Sequence, residues 1–134
     1  MPAYGTNSQG IGMAPGDQAA LIAPADTLYQ KTPFYGERIA IAPVGHRSGA
    51  RVRWEGKCSG NPGVIAVAIQ EASQDGADFY SNIAGATATA AVLQGDGTYV
   101  FSIDEIDAGG GVFRRPAVTA WPNNVTLTLT ATVQ

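Results

Sequence analysis

The chain has one cysteine and one histidine among its 134 residues. A lone thiol, Cys58, excludes an intramolecular disulfide framework. The four Cys/His ligands of a structural zinc site are also missing from a single chain. Charge is scarce as well: Asp, Glu, Lys and Arg make up 14% of the residues, against about a quarter in ordinary soluble domains. A surface this poor in charge is expected to be covered in part by another molecule. There is no basic tract, and a net charge of −3 lacks the footprint of a polyanion-binding protein, so direct nucleic-acid binding is not expected. No apolar run approaches the roughly 20 residues of a membrane span. The opening residues, Met1-Pro2-Ala3-Tyr4-Gly5, have neither the basic start nor the apolar core of a signal peptide. The expectation is a soluble protein made and folded in a reducing cytoplasm, with no membrane partner.

What the chain does contain is turn chemistry and alternation. With 17 Gly and 8 Pro, it favours many turns and few long helices. Its length suits one domain able to bury a core without staples. Residues 1–33 hold Pro2, Pro15, Pro24 and Pro33 and show no sustained period of two or 3.6. They read as an extended N-terminal arm preceding a domain over residues 34–134, ordered mainly by contact with another chain. Leu21, Ile22, Leu28 and Tyr29 are its expected anchors on a partner, because ordering such a segment needs a few buried side chains. The alternative is that residues 27–34 form a first strand of the domain.

From Glu37 onward the period is two. Residues 37–42 alternate around Ile39 and Ile41. The run Arg51-Val52-Arg53-Trp54-Glu55-Gly56-Lys57-Cys58 puts Val52, Trp54 and Cys58 on one face and the charged residues on the other, the pattern of a half-buried strand. Asn61-Pro62-Gly63 suits a type II turn. Residues 64–71 set Ile65, Val67 and Ile69 against small Ala66 and Ala68. Residues 77–82 read as a short aromatic strand and residues 86–93 as an Ala-rich one. Gly95-Asp96-Gly97 closes a hairpin into residues 98–103, with Tyr99, Phe101 and Ile103 inward. Residues 104–111 read as a flexible acidic loop. Residues 112–120 and 125–133 supply the last strands, with Trp121-Pro122-Asn123-Asn124 between them. About eight short strands at this spacing specify an all-β domain, a β-sandwich or jelly roll.

Residues that could carry chemistry are few. His46 stands in a glycine-flanked turn with no Gly-x-Ser-x-Gly elbow elsewhere, and reads as an exposed loop residue. Cys58 shares a face with Val52 and Trp54, which makes it a small buried hydrophobe; Lys57 points the other way and does little to activate it. Asp104, Glu105 and Asp107 precede three glycines and offer oxygen ligands for Ca²⁺, but their spacing fits no EF-hand loop, and solvated loop acids are the plainer reading. No catalytic, cofactor or metal site is expected, and the chain is not expected to be an enzyme. Thr126, Thr128, Thr130 and Thr132 form a row on the wet side of the last strand. Arg51, Arg53 and Lys57, joined by Arg114 and Arg115 from a later strand, form a basic row. That row either binds an acidic partner or is a solvated face interrupted by Glu55. For a sugar-binding groove the one candidate platform is Trp121, since Trp54 belongs to the core.

Several motifs carry a resemblance. They are the strand Val64-Ile65-Ala66-Val67-Ala68-Ile69-Gln70, the turn Ser73-Gln74-Asp75-Gly76 leading to Phe79-Tyr80, a Gly-rich loop, the run Val112-Phe113-Arg114-Arg115-Pro116-Ala117-Val118-Thr119-Ala120, and the closing Thr-alternating strand. Over residues 44–134 the chain resembles the head-decoration (cement) proteins of tailed bacteriophages. The resemblance implies a β-sandwich, often a homotrimer, that binds the major capsid protein lattice on the outer capsid surface and stabilises it against the packaged genome. It carries no catalytic residues. The alternative expectation is a carbohydrate- or receptor-binding sandwich from a phage tail or fibre.

Overall fold

A computed structural model describes residues 18–24, 26–40, 52–72, 76, 79–105 and 113–133. Among them are ten strands: β1 (Gln18–Ile22), β2 (Phe34–Tyr35), β3 (Ile39–Ala40), β4 (Val52–Cys58), β5 (Ala66–Ala72), β6 (Ser81–Ala88), β7 (Val92–Leu93), β8 (Tyr99–Glu105), β9 (Phe113–Ala120) and β10 (Leu127–Val133). They pair antiparallel into two sheets. One runs β1-β10-β4-β8-β7, and the other runs β2-β9-β5-β6 with β3 also on β9. The chain is all-β and sandwich-like, as the alternation required.

The alternation sets which face each strand buries. Along β4, Val52, Trp54, Gly56 and Cys58 are buried while Glu55 and Lys57 are exposed. Along β10, Leu127, Leu129, Ala131 and Val133 are buried and the threonines between them are half-buried. Trp54 has no exposed surface and lies in register between Ala131 of β10 and Ile103 of β8. The second sheet answers with Val67, Ile69 and Val118, none more than 1% exposed. Each such side chain contributes about 1.5–3 kcal/mol on burial. Gly56 has a specific reason to be glycine. It pairs with Phe101, and a Cβ there would stand 2.3 Å from the Phe101 ring, so the ring takes the space of the missing side chain.

The turns follow their residue types. Gly63 has φ +81, and its N–H donates to Asn61 Oδ1 at 2.9 Å. The β7–β8 hairpin closes through Gln94 N donating to Thr98 O at 2.7 Å, with Gly97 at φ +87. L-residues rarely adopt such angles.

Four expectations need correction. Residues 18–24 and 26–33 are part of the sandwich and not an arm; residues 1–17 and Ala25 lie outside the described residues. β1 pairs with β10 from Gln18 opposite Thr132 to Ile22 opposite Leu129. Leu21, Ile22 and Leu28 are at most 2% exposed, and Tyr29 packs against the same core. A register shift between Ala20 and Ile22 turns both Leu21 and Ile22 inward, which erases the period of two. Residues 86–93 do not make one strand: residues 86–88 end β6 in one sheet and Val92–Leu93 form β7 in the other. Phe79 and Tyr80 precede β6 and are not strand residues. Asp104 and Glu105 belong to β8 and not to a loop.

Candidate functional site

The expected basic row is divided between opposite sides of the molecule. Arg53 and Lys57 lie on the outer face of the first sheet, where Arg53 stands 3.3 Å from Asp104 and 3.5 Å from Glu55. Arg115 is on the outer face of the second sheet, because β9 belongs there. Arg114, its neighbour, points the other way and is fully buried. Arg51 lies outside the described residues. The outer face of the first sheet is a groove of about 900 Å³ lined by Gln18, Arg53, Glu55, Lys57, Thr128 and Thr130. The threonine row is on this face as expected, with Gln18 Nε2 donating to Thr132 Oγ1 at 3.1 Å.

Charge inside the sandwich was not legible from spacing. Glu105 and Arg114 are 1% and 0% exposed. Arg114 Nε donates to Glu105 Oε1, and Trp54 Nε1 donates to Glu105 Oε2 at 3.1 Å. Burial pushes the Glu105 carboxyl up, and Arg114 and Trp54 pull it back in part. Glu105 therefore has structural partners and is not an open cation ligand. Asp104 faces outward onto Arg53, and Asp107 lies outside the described residues. Among the described residues no three His, Cys, Asp or Glu gather as a metal site.

Cys58 is fully buried, and burial pushes its thiol up to about 11, the setting of an inert hydrophobe. His46 lies outside the described residues. Trp121, read above as a possible platform, is 3% exposed, and its Nε1 donates to Val125 O at 3.0 Å. The loop carrying it folds back on the core.

Two surface features stand out. The first is one side of the sandwich. At the opposite side, Glu37 N donates to Leu21 O and Gly36 N to Pro116 O, both at 2.9 Å, so the segment after β1 ties the two sheets together. At the β6/β7 side each sheet ends, among the described residues, in an edge strand. Residues 81–94, which build that side, contain no charged residue, and Val92 and Leu93 are 66% and 58% exposed. Natural edge strands are commonly protected by charge or proline; this one has neither.

The second feature is the surroundings of Arg115. Its guanidinium carbon lies 4.1 Å from the centroid of the Tyr35 ring and 4.1 Å from that of Tyr80. Its Nε donates to Gln70 Oε1 at 2.8 Å, and Gln70 Nε2 donates in turn to Asn82 Oδ1 at 3.0 Å. Tyr80 stands in the sequence motif Phe79-Tyr80, but nothing in the sequence joins it or Tyr35 to Arg115. They come from the β2 edge and the approach to β6, far from Arg115 in the chain. No helix among the described residues is long and apolar enough to cross a membrane. Comparison with protein-family models, curated proteins and solved structures gives no match to this chain.

Proposed function

We propose that this protein is a structural component of a viral particle, a capsid decoration protein that binds the outer head lattice of a tailed phage and self-associates, as a homotrimer. The observation that carries the reading is the charge-free β6/β7 side, with two edge strands and exposed Val92 and Leu93. Such a side is suited to being covered, and a second copy of the chain is its natural occupant. In a three-fold ring the contact is heterologous, the β6 edge of one copy against the β7 edge of the next, and two uncharged edges meet without like-charge repulsion. Weak contacts of this kind, repeated over a lattice, add through multivalency. The sequence resemblance over residues 44–134 supplies the particle context.

For the alternative, a carbohydrate- or receptor-binding module of a phage tail or fibre, the one tryptophan considered as a platform, Trp121, is buried. Addition of the purified protein to undecorated heads tests the proposal. Co-sedimentation that saturates at a fixed ratio to the shell subunit is expected. No co-sedimentation at saturating protein would contradict it.

A further inference from the structure

The geometry points to the Tyr35–Arg115–Tyr80 group as a docking point for an acidic side chain of a protein partner. Arg115 is half-buried, held by two rings and oriented through Nε by the Gln70–Asn82 chain. Its two terminal nitrogens donate to no partner among the described residues, and no carboxylate lies within ion-pair distance of it there. The other arginines differ: Arg53 has Asp104 and Glu55, and Arg114 has Glu105. Toward β5 and β6, the ladder partners of Arg115, Gln70 and then Asn82, are not acids.

An arginine normally loses rotamer freedom when it binds. Here the ordering is already done by stacking and by the Nε bond, so the N–H donors at the terminal nitrogens are left in a fixed fork, which suits the two oxygens of a carboxylate. The rim explains why the ligand is part of a protein and not a small free anion. Tyr35, whose ring lies 4.1 Å from the Arg115 guanidinium, is 47% exposed, giving apolar area that would exclude water around an Arg–carboxylate pair, as in the centre of a protein interface. A free phosphate is usually held by several converging donors, whereas here one guanidinium lies between the two tyrosines. The other arginine near it, Arg38, lies 5.2 Å from the Phe113 ring centroid. The inference rests on the reading that the outer surface meets a protein lattice, and it names the chemistry of that contact.

The test is a nitrogen-15 NMR titration of the full chain with acetyl-Gly-Glu-Gly-amide, its Gln counterpart and inorganic phosphate. The Glu peptide is expected to shift the Arg115 Nε–H and the Gln70 side-chain amide saturably, with affinity about tenfold or more above the Gln peptide. The shifts are expected to vanish in Arg115→Gln and to weaken in Arg115→Lys, which keeps the charge without the fork. Should Arg115→Gln fail to fold, Arg115→Lys and Tyr35→Leu carry the test, each expected to weaken binding. An equal response to both peptides, or an undiminished response in the Arg115 variants, would overturn the inference. Tighter binding of phosphate than of the Glu peptide would also overturn it and assign the site to a phosphate-bearing ligand. Because the titration uses the isolated chain, its failure leaves the particle reading standing. Absent head binding with the titration intact would count against the particle reading alone.

Discussion

Arg114 of β9 and Glu105 of β8 form an ion pair between the two sheets, with neither side chain exposed to solvent. Removing one member strands the other in the core. Arg114→Met is expected to cost about 3–5 kcal/mol, the usual penalty for breaking a buried pair. The sign of the pH dependence follows from Glu105, whose carboxyl is raised by burial. Protonation of such a group favours the fold; that contribution is complete below the ordinary carboxyl range and is lost as pH rises through the raised value. In Arg114→Met the carboxyl rises further, so the variant should lose stability more steeply than wild type between acid and neutral pH. Urea melts across that range check this, and a variant with a flat profile would contradict the pairing.

The β1 segment gives a second prediction. Leu21 is 1% exposed, so Leu21→Ala is expected to cost about 2–5 kcal/mol. Deleting residues 2–25 removes β1 and exposes the edge of β10, and is expected to abolish cooperative unfolding. An unchanged melting temperature in the deletion would return this segment to the status of an arm.

These two cases show what the sequence could and could not reveal. Strands with strict alternation were legible: β4, β5, β8 and β10 lie where the period of two put them, with Trp54 and Cys58 buried. β1 was hidden because its register shift places Leu21 and Ile22, adjacent residues, in the same core. Arg114 and Arg115 look alike in the sequence, yet strand geometry sends one into the core beside Glu105 and the other onto the surface between two tyrosines. A buried charge breaks the rule that polar residues mark the wet face. Its partner lies nine residues away in another sheet, a distance at which no local pattern operates.

Cys58 should be inert in the folded protein. With the thiol raised to about 11 and no exposed surface, almost no thiolate is available near pH 8. A thiol reagent is expected to leave it unmodified in buffer and to label it on unfolding in denaturant. Stoichiometric labelling of the folded protein within minutes would show that the β4 face is open.

Self-association should depend on the β6/β7 side. Sedimentation of the wild-type chain is expected to give three times the 13.8 kDa chain mass. Leu93→Asp, at a residue already 58% exposed, is expected to leave the melting transition cooperative and to shift the protein to monomer by placing like charges at every copy of the edge. An identical oligomer in the variant would move the interface elsewhere.

The proposed role is structural, on the head of a particle, and the copy number in purified particles is its sharpest test. Quantitative mass spectrometry against the major capsid protein, with labelling to locate the chain, is expected to find on the order of hundreds of copies spread over the head, as repeated lattice contacts require. A few copies confined to the tail, or none in the particle, would contradict it.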